Sequence, residues 1–337
     1  MRAVAYYEPQ PITGETSLVD IDLPKPEAQG RDLLVEVKAI SVNPVDTKIR
    51  AGAKPEAGQP RVLGWDAAGI VTAVGPDVRH FKVGDEVFYA GAVDRPGTNA
   101  EYHLVDERIV GTKPKSLDFS AAAALPLTSI TAWEMLFHRL HIDIPVVGAA
   151  NAILIVGGAG GVGSIAVQLA RKLTNLTVIA TPSRPETRQW VEELGAHHVI
   201  DHSKPLAAQV EALGLGAPAF VFATTNSDTH RTEIAALIAP QGRFGLIDDP
   251  KSYDIMPFKW KSVSIHWEVM FTRSRYDTAD IEEQRKLLNR VAELVDAGTL
   301  RTTLADDLGP ISAANLKKAH ALIESGRARG KIVLTGF

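Results

Sequence analysis

Cysteine is absent from all 337 residues. That excludes disulfides, thiolate catalysis and every cysteine-built zinc site. An excess of positive charge is missing too: 36 Lys plus Arg stand against 40 Asp plus Glu, for a net charge of −4. Nothing in that balance gathers phosphate backbones or anionic lipid, so neither nucleic acid nor a membrane is an expected partner. The opening residues, MRAVAYYEPQPITG, have neither the apolar core of a signal peptide nor the Arg/Ser-rich pattern of a transit peptide, and a cytoplasmic location is expected. One uncharged stretch, residues 144–170, is long enough for a bilayer, but its six glycines, Asn151 and Gln168 break it into a strand, a turn and a helix start.

What is present is an ordinary globular composition, 45% hydrophobic and 23% charged, in a chain long enough for two domains. Residues 1–120 carry short β-type runs at 33–40, 68–75, 85–91 and 100–105, which read as a small, mostly antiparallel β domain. The segment SAAAALPLTSITAWEML at 120–136 changes to helix formers interrupted at Pro126. From Ala152 to about Ile265, apolar strands alternate with helical segments, the pattern of a parallel sheet covered on both faces. Two further helices are predicted at about Thr278–Ala297 and Ser312–Glu324, before a last strand, KIVL, at 331–334.

The chemistry starts at the strand AILIVGG, which runs into Gly158, Ala159, Gly160, Gly161, Val162 and Gly163 and then into an apolar-periodic helix. Glycines so placed allow a tight turn, close approach of a pyrophosphate, and close helix-to-strand packing, while the helix start supplies N–H groups and positive dipole. The next strand, TVIAT, ends in Thr181-Pro182-Ser183-Arg184 rather than in the carboxylate that accepts from the ribose of NAD. With Arg184 nearby, Arg188 one turn on and His202 after the third strand, the pattern favours a 2′-phosphate and hence NADP(H). The histidine pairs 138/141 and 197/198 form no H-E-x-x-H arrangement and are read as surface or capping residues.

With these motifs in place the chain resembles the medium-chain dehydrogenase/reductase superfamily, and within it the quinone oxidoreductase branch. The likeness runs over nearly the whole length, through SVNPVDTKIR at 41–50, GWDAAGIVTAVG at 64–75, VGDEVF at 83–88, ALPLTSITAWEML at 124–136, GGAGGVG at 157–163, GAHHVID at 195–201, PQGRFGLI at 240–247 and GKIVL at 330–334. It implies an α/β chain: a GroES-like, mostly β catalytic domain at 1–123, a Rossmann domain with a doubly wound parallel sheet binding NADPH at 124–265, and a segment at 266–337 returning to the catalytic domain. It also implies a homodimer. Zinc alcohol dehydrogenases of the superfamily hold their metal with a cysteine, a histidine beside a glutamate, and a second cysteine; the matching positions here are Asn43, Trp65 beside Asp66, and about Leu127. Trp and Leu supply no ligand, so no zinc is expected.

The likeness sets NADPH in an interdomain cleft with its nicotinamide near Asn43, Asp46 and Thr128, and Thr224, Ile247 and Lys331 complete the expected cofactor set. The substrate is expected to stack between Trp65 and the aromatic segment at 266–276, with Trp267, Phe271 and Arg275. Without a Lewis acid, a quinone or an α,β-unsaturated carbonyl compound is the favoured acceptor, because hydride delivery leaves charge spread over an enolate. The competing readings are a zinc alcohol dehydrogenase with atypical ligands and an NADPH-binding protein without turnover.

Overall fold

Strands without a single charged residue must be buried on both faces, and AILIV and FVFA are of that kind. In the computed structural model, which describes residues 1–182 and 184–337, they form the centre of a six-stranded parallel sheet. The chain divides into two compact units, one made of Met1–Ile130 with Phe271–Phe337 and the other of Thr131–Met270.

In the second unit the strands lie in the spatial order His198–Val199, Thr177–Thr181, Ala150–Val156, Pro218–Ala223, Arg243–Leu246 and Ser264–Trp267. Numbered along the chain this is 3-2-1-4-5-6, a doubly wound sheet whose order reverses beside strand Ala150–Val156. Helices Gly161–Leu173, Pro185–Glu193, Leu206–Ala212 and Arg231–Leu237 connect the strands. Leu154, Val156, Val221, Phe244 and Phe258 fill one core of this unit.

The first unit has a mixed sheet built around the long strand Asp32–Val42. That strand pairs antiparallel with Asp66–Val74, with Tyr102–Asp106 and with the C-terminal strand Lys331–Thr335. A smaller antiparallel sheet joins Arg2–Tyr6 to Val19–Asp22 and Arg61–Val62. Pro126 opens helix Pro126–Trp133, a position where proline's missing N–H costs nothing. The predicted helix at 278–297 is shorter, Glu283–Asp296. Its first turn is replaced by a loop in which Asp277 takes a left-handed φ of 43° and pairs with Arg108, while Arg273 holds Asp280. The last helix, Ala313–Glu324, is capped by the Ser312 hydroxyl. No helix among the described residues is long and apolar enough to cross a membrane.

Candidate functional site

Three glycines of the turn in the second unit, Gly157, Gly160 and Gly163, are called for by different reasons. Gly157 adopts φ 80°, a conformation that suits glycine, and a Cβ there would meet the Thr224 hydroxyl at 2.4 Å. A Cβ on Gly163 would fall 2.3 Å from the Gly157 carbonyl oxygen, so helix Gly161–Leu173 and the preceding turn pack backbone to backbone. Gly160 differs: a Cβ there would meet only the Gly157 carbonyl oxygen, at 3.6 Å, among the described residues beyond its chain neighbours. The helix therefore begins with open space at its N-cap and no side chain capping it, which fits the pyrophosphate of a dinucleotide.

Two threonines hold this turn. The Gly157 N–H donates to Thr181 Oγ1 at 3.0 Å, and Thr224 Oγ1 donates to the Val156 carbonyl at 2.9 Å. His202 is brought to the end of strand Thr177–Thr181, where its Nδ1–H donates to the Thr181 carbonyl at 2.8 Å. Its ring lies 6.1 Å from that of His230. Arg184 occupies the N-cap of helix Pro185–Glu193, its Nε paired with Glu186, and Arg188 reaches the Val199 carbonyl at 3.3 Å. Ile247 directly follows strand Arg243–Leu246. Ser183 lies outside the described residues. Thr181 is absent from the sequence-based set, although a hydroxyl closing the strand beside a glycine turn is a signal that could have found it.

In the first unit, Asn43 and Asp46 meet Asp66 and Lys331 in a fully buried polar knot. Asn43 Nδ2 donates to Asp66 Oδ2 at 2.8 Å, and its Oδ1 accepts from Lys331 Nζ at 2.5 Å. Lys331 also donates to the Val42 carbonyl at 2.9 Å and pairs with Asp66 at 3.0 Å. Its three N–H bonds are thereby committed inside the protein, leaving no free donor for the cofactor with which it was grouped. Asp66 Oδ1 accepts from Leu127 N–H at 2.7 Å at the start of helix Pro126–Trp133. Asp46 accepts from the N–H groups of Asn43 and Gly64, at 2.5 and 3.1 Å. Burial pushes the Asp46 carboxyl up to about 7, against the pull of the Asn43 N–H and the Lys331 ammonium. Thr128 is close by in the chain, on the same helix as Leu127, and its hydroxyl donates to the Leu125 carbonyl at 3.2 Å. Asp66 was legible only as the neighbour of Trp65; a carboxylate in the apolar run GWDAAG had to be paired, and that was the available signal.

Of the four residues expected around the substrate, Trp65, Phe271 and Arg275 lie in the first unit and Trp267 in the second. Trp65 is buried in the first unit, its indole N–H donating to the Ala92 carbonyl at 3.0 Å, and it meets Phe271 edge-on at 6.1 Å. Arg275 is exposed with its guanidinium 5.8 Å from the Tyr276 ring. Trp267 ends the edge strand of the second unit and is 51% exposed.

The chain matches the family models described as "Alcohol dehydrogenase GroES-like domain", over residues 29–115, and "Zinc-binding dehydrogenase", over residues 194–334. It is 40% identical over 312 residues to a zinc-type alcohol dehydrogenase-like protein of Staphylococcus aureus (strain MSSA476), covering 92% of each chain. An NADPH-dependent alkenal/one oxidoreductase of Arabidopsis thaliana is 30% identical, the match covering 92% of this chain and 73% of that one. The crystal structure of a proposed zinc-dependent alcohol dehydrogenase from Rhizobium etli CFN 42 superposes with a TM-score of 0.99 at 69% identity, covering 100% of this chain and 98% of that one. A quinone oxidoreductase of Pseudomonas syringae pv. Tomato DC3000 superposes with a TM-score of 0.82 at 27% identity, covering 99% of both. The chain belongs to the medium-chain dehydrogenase/reductase superfamily of oxidoreductases.

The family's zinc does not fit the residues present. Of the three matching positions, Asn43 has its oxygen on Lys331, Trp65 has only an N–H that is already donated, and Leu127 offers hydrocarbon. No group of three or more His, Cys, Asp or Glu able to hold a metal occurs among the described residues.

Proposed function

We propose that the chain is a zinc-independent, NADPH-dependent oxidoreductase that reduces quinones or α,β-unsaturated carbonyl compounds by hydride transfer. The observation that carries this reading is the knot of Lys331, Asp66 and Asn43: Asn43, at a position matched to a zinc ligand, is committed to the Asp66 carboxylate and to a lysine ammonium. Zinc serves a simple ketone by polarising its oxygen. Without that help, the favoured acceptors are those whose electrons spread over a conjugated system as hydride arrives, and quinones and enones are of this kind. NADPH, when bound, supplies the hydride, and solvent supplies the balancing proton.

The dinucleotide phosphates are assigned to the start of helix Gly161–Leu173, whose first N–H groups and dipole favour an anion. NADPH is preferred over NADH because strand Thr177–Thr181 ends without a carboxylate and two arginines, 184 and 188, stand at the next helix start. Thr128 is assigned to the nicotinamide, since its hydroxyl oxygen still has acceptor capacity after donating to Leu125. Asn43 and Asp46 act from inside the protein, as the frame on which that helix rests. The Arabidopsis relative is named for NADPH and for alkenal/one substrates, and the Pseudomonas neighbour for quinones, which supports the assignment.

The test is loss of NADPH absorbance at 340 nm by chelator-treated protein offered 1,4-quinones, enones and simple aldehydes in parallel, with zinc measured by elemental analysis. Oxidation by quinones or enones at substoichiometric zinc is the expected result. Aldehyde turnover that chelation abolishes would replace this reading with a metal enzyme, and NADPH binding with no turnover on any acceptor would replace it with a non-catalytic binding protein.

A further inference from the structure

One ammonium and two carboxylates lie together in the interior of the first unit, and five chain segments meet there. Lys331 opens the C-terminal strand, Val42 and Asn43 end strand Asp32–Val42, Asp46 lies in the first turn of helix Pro44–Gly52, Asp66 opens strand Asp66–Val74, and Leu127 is at the start of helix Pro126–Trp133. Each carboxylate accepts backbone N–H groups where regular structure breaks: Asp46 from Asn43 and Gly64, Asp66 from Leu127. These groups have left water, so the Asp66 carboxylate depends on the Lys331 ammonium paired with it.

We propose that Lys331 is a positioning residue for the reaction: its ammonium, bound to Asn43, Val42 and Asp66, fixes the starts of helices Pro44–Gly52 and Pro126–Trp133, and through the second of these the Thr128 hydroxyl. The proposal rests on the reductase reading for its link to turnover. It assigns Lys331 a role apart from cofactor binding, because a tetrahedral ammonium with three acceptors already in place has nothing left for a phosphate. Withdrawing it leaves Asp66 uncompensated, and the Leu127 N–H loses a fixed acceptor. A shift of the helix start by a fraction of a turn carries Thr128 with it, and misplacements of that size lower turnover by about 100-fold.

Three variants test this. Lys331→Met removes the charge. Lys331→Met combined with Asp66→Asn removes the paired charges together and leaves Asp46, whose burial favours its neutral form. Lys331→Cys introduces the chain's only thiol, which 2-bromoethylamine alkylates in denaturant to restore an ammonium of nearly the same reach after refolding. For each, kcat, the NADPH dissociation constant by fluorescence, and amide hydrogen exchange at Asn43, Gly64 and Leu127 are measured. The expected result for Lys331→Met is a kcat lower by about 100-fold, an NADPH Kd within about twofold of the parent, and exchange faster by about tenfold at Leu127 and Asn43, with the alkylated variant recovering kcat and exchange. If Lys331→Met does not fold, the double variant is read in the same way. An NADPH Kd that weakens in step with kcat would overturn the proposal and make Lys331 a cofactor ligand; unchanged exchange at Leu127 would overturn it as well. Failure of the parent chain to turn over any acceptor overturns the reductase reading instead, and is seen before any variant is made.

Discussion

Gly160 and Gly163 stand three residues apart in one turn, yet replacing each by alanine should damage different properties. A Cβ on Gly163 would lie 2.3 Å from the Gly157 carbonyl oxygen and 2.7 Å from Gly158 Cα, and both obstacles are backbone. Carbon contacts are comfortable near 3.5 Å, so the helix has to retreat by about 1 Å. Overpacking of this kind costs about 3 kcal/mol at the upper end, and the better helix propensity of alanine returns about 1 kcal/mol. The net loss of about 2 kcal/mol corresponds to a fall in Tm of roughly 4–8 °C for a unit of this size. For Gly160→Ala, φ is −70° and the new methyl has 3.6 Å of room, so Tm should hold within about 2 °C. That methyl would nevertheless occupy the open N-cap where a pyrophosphate is to approach, and NADPH affinity should fall by at least about tenfold. Thermal unfolding followed by circular dichroism, together with a fluorescence titration of NADPH, reads both. A Gly160→Ala protein that keeps its NADPH affinity would refute the assignment of phosphate to this helix start, and an unaltered Tm for Gly163→Ala would refute the packing argument.

Replacing Asp66 by Asn leaves Lys331 buried beside neutral partners and should cost about 3–5 kcal/mol in urea unfolding, whereas adding Lys331→Met should recover part of that loss; a double variant as unstable as the single one would contradict the charge argument. Arg184→Ala and Arg188→Ala should each weaken NADPH by about tenfold and leave NADH unchanged; equal losses for both cofactors in the same titration would deny these residues a 2′-phosphate role. Acid stability should respond to three buried groups. Burial pushes His103 down to about 4 and His320 down to about 3, so the unfolded chain binds protons that the native state refuses, and stability falls as pH drops from about 6.5. Asp46 acts oppositely, because its carboxyl, raised to about 7 by burial, keeps in the native state a proton that the unfolded chain releases above about 3.9. His320→Gln keeps an acceptor for Arg50 Nε and should make the loss between pH 7 and pH 5 smaller by about 2 kcal/mol in paired urea titrations, and an unchanged loss would mean that this histidine is not held neutral.

The parts of the molecule that were legible in the sequence are those in which one segment carries its own pattern. Strand Ala150–Val156, the glycine turn and helix Gly161–Leu173 are contiguous, so apolar period and glycine spacing spell them out. Helix Leu206–Ala212 escaped because it has only seven residues and begins after Pro205 without a capping side chain. The later start of helix Glu283–Asp296 has the opposite cause: Asp277 and Thr278 look like N-caps, but ion pairs with Arg108 and within Arg273–Asp280 draw the chain into a loop. Trp65 was expected as a substrate wall because an aromatic face suits a planar, conjugated molecule. Its indole N–H donates to Ala92, a partner 27 positions away that no local pattern announces.

The same distance in sequence hides the polar knot, where Lys331 meets Asn43 across 288 positions. Stability alone would not call for it, since a packed apolar cluster in place of a buried ion pair is often as stable or more so. An apolar cluster cannot, however, accept the N–H groups of Asn43, Gly64 and Leu127, which point inward where two helices and a loop begin. Those donors call for acceptors strong enough to be held in one geometry, and carboxylates are the side chains that offer two oxygens at once. The buried Asp66 carboxylate then calls for a cation, and strand Lys331–Thr335, pairing with Asp32–Val42, is the element that delivers one. The lysine of the last strand thus follows from the orphan backbone donors of the first unit, and its chemistry is that of a counter-ion before it is that of a ligand.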